Sequence, residues 1–361
     1  VSVHAACSPG EIRVAAMQDG HLADYAIWRP GRPDGVGDVH RGRVTAMVPG
    51  MAGAFVAIGG ADGFLPDSAG AATRGVGDIL AVQITRAAQG GKGPRLAALP
   101  EDAGSGPPAL LRPGPNPVLR LAALHDGPVV VDDPAVFATL RPFLGERLVL
   151  GTAWDETMQT AIAALSDRIV SLPGGLRASI EPTAALVAID MDMAAATAGR
   201  EAKTTKQEAA NRAALPALAR QIRLRSLAGT ILIDLAGLPL RRRPALADAI
   251  RAALAPDPAK PRLLGFTASG LAEIQRARTH TPLHELQAGP HAAGLAALRT
   301  IAASAGSPLT LLRAAPDVVS ALEADSVALP ALANRLGRPL VLRSEPALAP
   351  CATIIEERPR G

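Results

Sequence analysis

The stretch LVAIDMDMA (residues 186–194) runs four apolar residues straight into two acids, Asp190 and Asp192. Further along, TILIDLAGL (residues 230–238) repeats the pattern around Asp234. Short apolar runs of this kind read as buried β-strands, so two strands each end in a carboxylate. An isolated Asp in such a place commonly caps its strand or pairs with an arginine. Two in matching contexts ask for a shared role.

The surroundings alternate between elements. KQEAANRAALPALARQIRLRS is helical in pattern despite Pro216, RPALADAIRAALAP is an amphipathic helix, and PRLLGFTASGLAEIQRARTH reads as a strand followed by a helix. Upstream, DRIVSLPGGLRASIEPTAALVAIDMD reads as consecutive strands, and PVVVDDPAVFATLRPFLGERLVLGTA as strand, helix, strand. GEIRVAAMQDGHLADYAIWRP forms a β-hairpin about Asp19-Gly20, a favoured tight-turn pair. Between about residues 37 and 100, short strands alternate with Gly-rich turns, as in a small β-barrel. Residues 100–118 are rich in Pro and Gly and read as a loop or linker. The tail from residue 286 reads as a small α/β unit, and no internal repeat is present.

Composition narrows the class. With 361 residues, 48% of them hydrophobic, the chain is long enough for two or three domains with real cores. No apolar run is long enough for a transmembrane helix, and residues 1–15 show no secretory-signal pattern. Two cysteines, Cys7 and Cys351, make neither a disulfide framework nor a zinc site and suit a reducing cytoplasm. The expected location is therefore cytoplasmic, with no membrane partner. Only four of the 37 basic residues are lysines. Arginine's planar fork matches phosphate, although a GC-rich genome also yields a chain rich in Ala, Gly, Pro and Arg. Aromatics are only 2%, so any stacking platform for a base is scarce.

In order and wording, five blocks resemble the ribonuclease E/G family over nearly the whole chain: HRGRVTAMVPGMAGAFVAIGGADGFLPD with QGGKGPRLA, VAIDMD, ARQIRLRSLAGTILIDL, GLAEIQRARTHTPLHE, and APDVVSALE with RLGRPLVLRSEPAL. The resemblance implies an α/β (α+β multidomain) chain. An RNase-H-like domain in two parts (1–36 and 101–178, the second with a linker and sensor remnant) would carry an inserted OB-fold β-barrel (37–100). A DNase-I-like catalytic domain (179–286) would follow, then a small C-terminal α/β domain with a degenerate zinc-link segment (287–361).

The implied chemistry is magnesium-dependent hydrolysis of single-stranded RNA, leaving 5′-phosphate and 3′-hydroxyl ends. Asp190 and Asp234 stand where the family holds its metal, and Asp192 stands where the family usually has Asn. Mg²⁺ takes hard oxygen ligands and keeps several waters, so one or two carboxylates on rigid strand ends suffice. The resemblance places Phe55 and Phe64 as base-stacking positions on the barrel, with Arg41, Arg43, Lys92 and Arg95 flanking them. Arg223, Arg225, Arg276 and Arg278 read as phosphate contacts of the catalytic domain.

Four departures stand against simple transfer. Gly237 replaces a usual acid, Ala268-Ser269 replaces a block that usually carries an Arg, and AGPHAAG (288–294) replaces the cysteine zinc link. The 5′-phosphate sensor is almost wholly missing. The expectation is thus no zinc, and a homodimer, if formed, without a zinc link. His280 and His284, four apart beside Glu285, read as a solvated helix end rather than a metal site. The alternative is a non-catalytic RNA-binding protein, an RNA chaperone or ribosome-assembly factor, with a decayed active site.

Overall fold

A computed structural model describes residues 1–193, 200–304 and 310–357 of the protein. Packing divides the chain into two compact units. One comprises Val1–Pro33, Pro115–Gln159 and Leu283–Gly361; the other comprises Asp34–Gly114 and Thr160–Pro282. No described helix is long and apolar enough to cross a membrane.

The second unit holds two sheets. Strands Val39–Val48, Gly53–Ala57, Asp62–Pro66, Arg95–Ala98 and Ile79–Arg86 form a closed five-stranded barrel, consistent with an OB-fold. Closure leaves no free edge among these five. Val44, Val56, Leu65, Leu80, Val82 and Leu96 fill the interior. The Pro/Gly-rich stretch expected to be a loop contains a further strand, Ala109–Arg112, paired outside Val39–Val48. Its sequence, ALLR, leaves Leu110 and Leu111 exposed, so it carries no alternation that marks a strand.

The other sheet of this unit runs Ile169–Leu172, Leu176–Pro182, Val187–Met193, Gly229–Asp234, Ala272–Arg276, Arg262–Phe266. Val187–Met193 and Gly229–Asp234 are parallel, and helix Arg200–Leu224 lies between them in sequence. Parallel neighbours require such a crossover. One sheet face, with Ile180, Ile189, Ile231, Ile233 and Ile274, packs on Leu215, Leu218 and Ile222 of that helix and on Ile250 and Leu254 of helix Ala247–Leu254. The helix continues through Pro216. The segment read as strand then helix is instead a hairpin of Arg262–Phe266 and Ala272–Arg276. Its second arm buries Ala272, Ile274 and Arg276 with period two, and Thr267 Oγ1 accepts from Leu271 N–H at 3.0 Å to close the turn.

The first unit's larger sheet runs Leu148–Leu150, Val129–Val131, Ser2–Ser8, Glu11–Gln18, His21–Trp28, with the first three parallel and the rest antiparallel. Helices Pro117–Leu124 and Pro134–Leu144 bury Leu121 and Leu140 against one face. The hairpin turn is at Asp19 (φ +50°) and Gly20 (φ +76°), both left-handed, as a two-residue turn between twisted strands demands. The C-terminal part packs helices Gly289–Ala303, Pro316–Glu323 and Ala328–Leu336 around a three-stranded sheet of Thr310–Ala314, Val341–Ser344 and Thr353–Glu357.

Ile231 is fully buried between the parallel pair and the crossover helix. Ile231→Ala is expected to destabilise the second unit by about 2–5 kcal/mol. The measurement is a urea titration, in which the midpoint falls and the slope is unchanged.

Candidate functional site

Asp190 and Asp234 are direct partners in the parallel register. Side chains alternate along a strand. Val187, Ile189 and Met191 point into the core, so Asp190 and Asp192 point out. Ser179 lies opposite Asp190, and Arg177 opposite Asp192. Neighbouring strands lie about 4.8 Å apart, so the Asp190 and Asp234 carboxylates are within reach of one cation. Asp190 has no hydrogen-bond or ion-pair partner among the described residues, and Asp192 Oδ1 accepts from Met193 N–H at 2.7 Å.

Arg243 holds Asp234. Its Nη1 lies 2.7 Å from Asp234 Oδ1 and donates to Gly270 O at 3.0 Å, while its Nε donates to Leu238 O at 2.9 Å. Gly270 makes room for this: a Cβ there would sit 2.4 Å from Leu240 Cδ2 and 3.0 Å from Arg243 Cδ. Sequence reasoning leaves Arg243, with Arg241 and Arg242 directly after the Asp234 strand, as either part of a phosphate-binding field or a plain charged loop. It missed Asn211 altogether. That side chain is buried on the crossover helix, donates to Ala236 O at 2.9 Å and accepts from Ala236 N–H at 3.0 Å. It pins the turn after Asp234 to the helix. An Asn on an otherwise apolar helix face, where it is a poor helix former, was the available signal. Gly237 follows with φ +63°, and a Cβ there would lie 2.3 Å from Gln207 Nε2. An acid at 237 would have to displace the buried Gln207.

On the barrel, Phe55 and Phe64 are register partners in an edge-to-face pair, with centroids 5.9 Å apart. Both are half-buried on the outer surface, because Ala54, Val56 and Leu65 occupy the interior. Phe64 pairs in register with Arg95, and Arg95 with Arg86. Arg43 lies opposite Ala57, two residues from Phe55. Phe55, Phe64, Arg95 and Arg86 therefore make one outward row, with Arg43 beside it. Lys92 is exposed in the neighbouring turn with Gln89. Arg41 is tied to the following segment through Ala103 O at 2.8 Å and Pro107 O at 3.3 Å.

The arginines expected to contact phosphate near the acid-bearing sheet divide. Arg276 points inward, binds Asp257 through two nitrogens (2.7 and 3.1 Å) and donates to Leu227 O, with both ionic side chains under 10% exposed. Arg225 is buried and donates to Asp167 O and Ala164 O, and desolvation lowers its pKa. These two are internal ties and are not placed to grip RNA, contrary to the sequence-based expectation. Inward alternation on one strand and burial beyond a helix end explain why. Arg223 reaches Pro256 O at 3.3 Å and is half-buried, as is Arg278.

Three histidines lie beside carboxylates: His280 by Asp34 at 2.7 Å, His284 by Glu285 at 3.9 Å, and His291 by the buried Asp325 at 2.8 Å. Among the described residues no three His, Cys, Asp or Glu side chains gather as a metal cage.

Residues 153–279, which carry both acid-bearing strands, match the Ribonuclease E/G family. By this segment, the chain is similar to the ribonuclease E/G family. Ribonuclease E of Escherichia coli (strain K12) is 31% identical over 173 residues, covering 44% of this chain and 16% of that protein. Ribonuclease E of Nostoc sp. is 36% identical over 118 residues, 32% of this chain and 17% of that protein. Ribonuclease G of Haemophilus influenzae is 42% identical over 52 residues, 14% of this chain and 11% of that protein. The chain thus covers less than a fifth of each of these relatives.

Arg276→Ala would leave the buried Asp257 without its cationic partner. The expected loss is about 3–5 kcal/mol of stability. Thermal unfolding of purified protein measures it; a variant as stable as wild type would show that the pair contributes nothing.

Proposed function

We propose that the chain is an endoribonuclease of the ribonuclease E/G type. It would bind single-stranded RNA along the barrel's outer row and cleave one phosphodiester at the Asp190/Asp234 face, leaving a 5′-phosphate and a 3′-hydroxyl. The observation that carries this reading is the register pairing of Asp190 with Asp234 on the wet face of a sheet inside the family-matched segment. In support of the RNase-H-like reading, the first unit's three antiparallel N-terminal strands are extended by two parallel ones. The two-layer sheet carrying the acids supports the DNase-I-like reading. Two free cysteines suit work in a reducing cytoplasm.

The donor set fits magnesium. Asp190 is free of protein partners among the described residues, and Arg243 engages only one oxygen of Asp234. Two carboxylates suit a hard cation that keeps most of its waters, whereas zinc prefers the nitrogen and sulfur ligands lacking here. When bound, magnesium would supply Lewis-acid polarisation of the phosphate and a more acidic water. Arg243 fixes the Asp234 carboxylate in one orientation, which lowers the cost of ordering the site. Asp192, exposed on the same face, would accept a proton or a hydrogen bond from an attacking water. Phe55 and Phe64 offer a platform for bases, and Arg43, Lys92 and Arg95 provide charge along the backbone.

A second reading, RNA binding without cleavage, is favoured by two observations. Arg243 offsets part of the negative charge at Asp234, and position 237 admits no acid without displacing Gln207. Incubating labelled single-stranded RNA with the protein, with and without Mg²⁺, separates the two. Binding with no Mg²⁺-dependent product would sink the nuclease reading and leave the binding one.

Asp190→Ala is expected to lower the cleavage rate at least about a hundredfold, close to 3 kcal/mol of barrel-independent transition-state stabilisation, with RNA affinity within about twofold of wild type. Full cleavage by this variant would remove Asp190 from the chemistry. Phe55→Ala should instead weaken RNA binding by about 1–3 kcal/mol, measured by fluorescence anisotropy in EDTA.

A further inference from the structure

We infer that Arg86, Arg95 and Arg278 form a clamp for a single RNA phosphate where the barrel meets the acid-bearing sheet. This rests on the RNA-binding part of the proposed function and adds Arg86, a residue that neither the family match nor the sequence motifs singled out.

The backbone brings the three together. Arg86 ends strand Ile79–Arg86 and is the register partner of Arg95. The next residue, Ala87, donates its N–H to Thr279 O at 2.9 Å, which sets Arg278 beside the same barrel corner. Both Arg86 and Arg95 lack a carboxylate partner among the described residues, and Arg86 Nε is buried without an acceptor. The charges of Arg95 and Arg278 add to burial in holding the Arg86 guanidinium below its ordinary pKa range. The like charges of Arg86 and Arg95, side by side with an unsatisfied buried donor on Arg86, are costly unless an anion joins them. A phosphodiester supplies the charge and several acceptor oxygens that match guanidinium forks.

The neighbours favour a polynucleotide over a free anion. Arg95 is the register partner of Phe64, which stacks edge-to-face on Phe55. A phosphate held by the clamp would thus sit next to a stacked base. Ala272 lies opposite Ile233, beside Asp234. From there to Arg278 the chain is largely extended and covers roughly 20 Å, so the held phosphate lies several nucleotides from the cleaved one.

The test is anisotropy of a labelled single-stranded RNA with the full chain across a series of NaCl concentrations in EDTA. Arg86→Gln is expected to weaken binding at least fivefold at low salt, and Arg86→Lys to recover only part of this, since it restores charge without the fork. The triple variant R86Q/R95Q/R278Q should reduce the steepness of log affinity against log salt by about 0.7, the value for one phosphate on a single strand. An unchanged slope would make the arginines structural. A loss of about 2 would mean three separate phosphate contacts, and either result overturns the clamp. Should the triple variant fail to fold, Arg95→Gln, at an exposed position, must still weaken binding and flatten the salt dependence. Absence of RNA binding by the wild-type chain would overturn the RNA-binding reading and the clamp together, whereas binding with insensitive variants overturns the clamp alone.

Discussion

The parallel pairing of Val187–Met193 with Gly229–Asp234 is the constraint on which the candidate site depends. Ile189 and Ile231 must face the crossover helix, because that burial supplies most of the local driving force. Strand alternation then leaves no choice for Asp190 and Asp234: they stand on the other face, side by side. A slip of one residue in either strand would put carboxylates into the core and isoleucines into water. The hydrophobic core and the acid pair are two faces of one register.

Two carboxylates that close repel each other, and the fold answers with Arg243. The guanidinium is itself held by carbonyls from Leu238 and Gly270, so its charge is fixed rather than swinging on a loose side chain. Gly270 leaves the space and Asn211 fixes the preceding turn. The same region explains the glycine at 237, where left-handed backbone strains any side chain and an acid would have to displace Gln207.

The barrel solves a different problem. Its closure sends one set of side chains inward, and the other set forms a continuous outward surface. Phenylalanines there would be an unfavourable exposure of apolar area in a protein with so few aromatics, yet Phe55 and Phe64 are only half-buried. Their edge-to-face contact shields part of each ring, while arginines on both sides keep the row soluble and cationic.

The pattern of residues alone determined the strands that carry Asp190 and Asp234, the helix through Pro216, the barrel's short strands and the Asp19-Gly20 hairpin, because alternation, apolar runs and turn chemistry are local. It failed at Ala272–Arg276, read as a helix, since a short mixed segment carries little periodicity, and at Ala109–Arg112, hidden among prolines and glycines. Which arginines remain outside was beyond it. Arg276 and Arg278 look alike in sequence, but only tertiary structure brings Asp257 and Leu227 O to the first. Arg225 likewise depends on Asp167 O and Ala164 O, and Asp234 on Arg243. A guanidinium can be buried only where acceptors converge on it from distant parts of the chain, and that convergence exists only once the chain has folded.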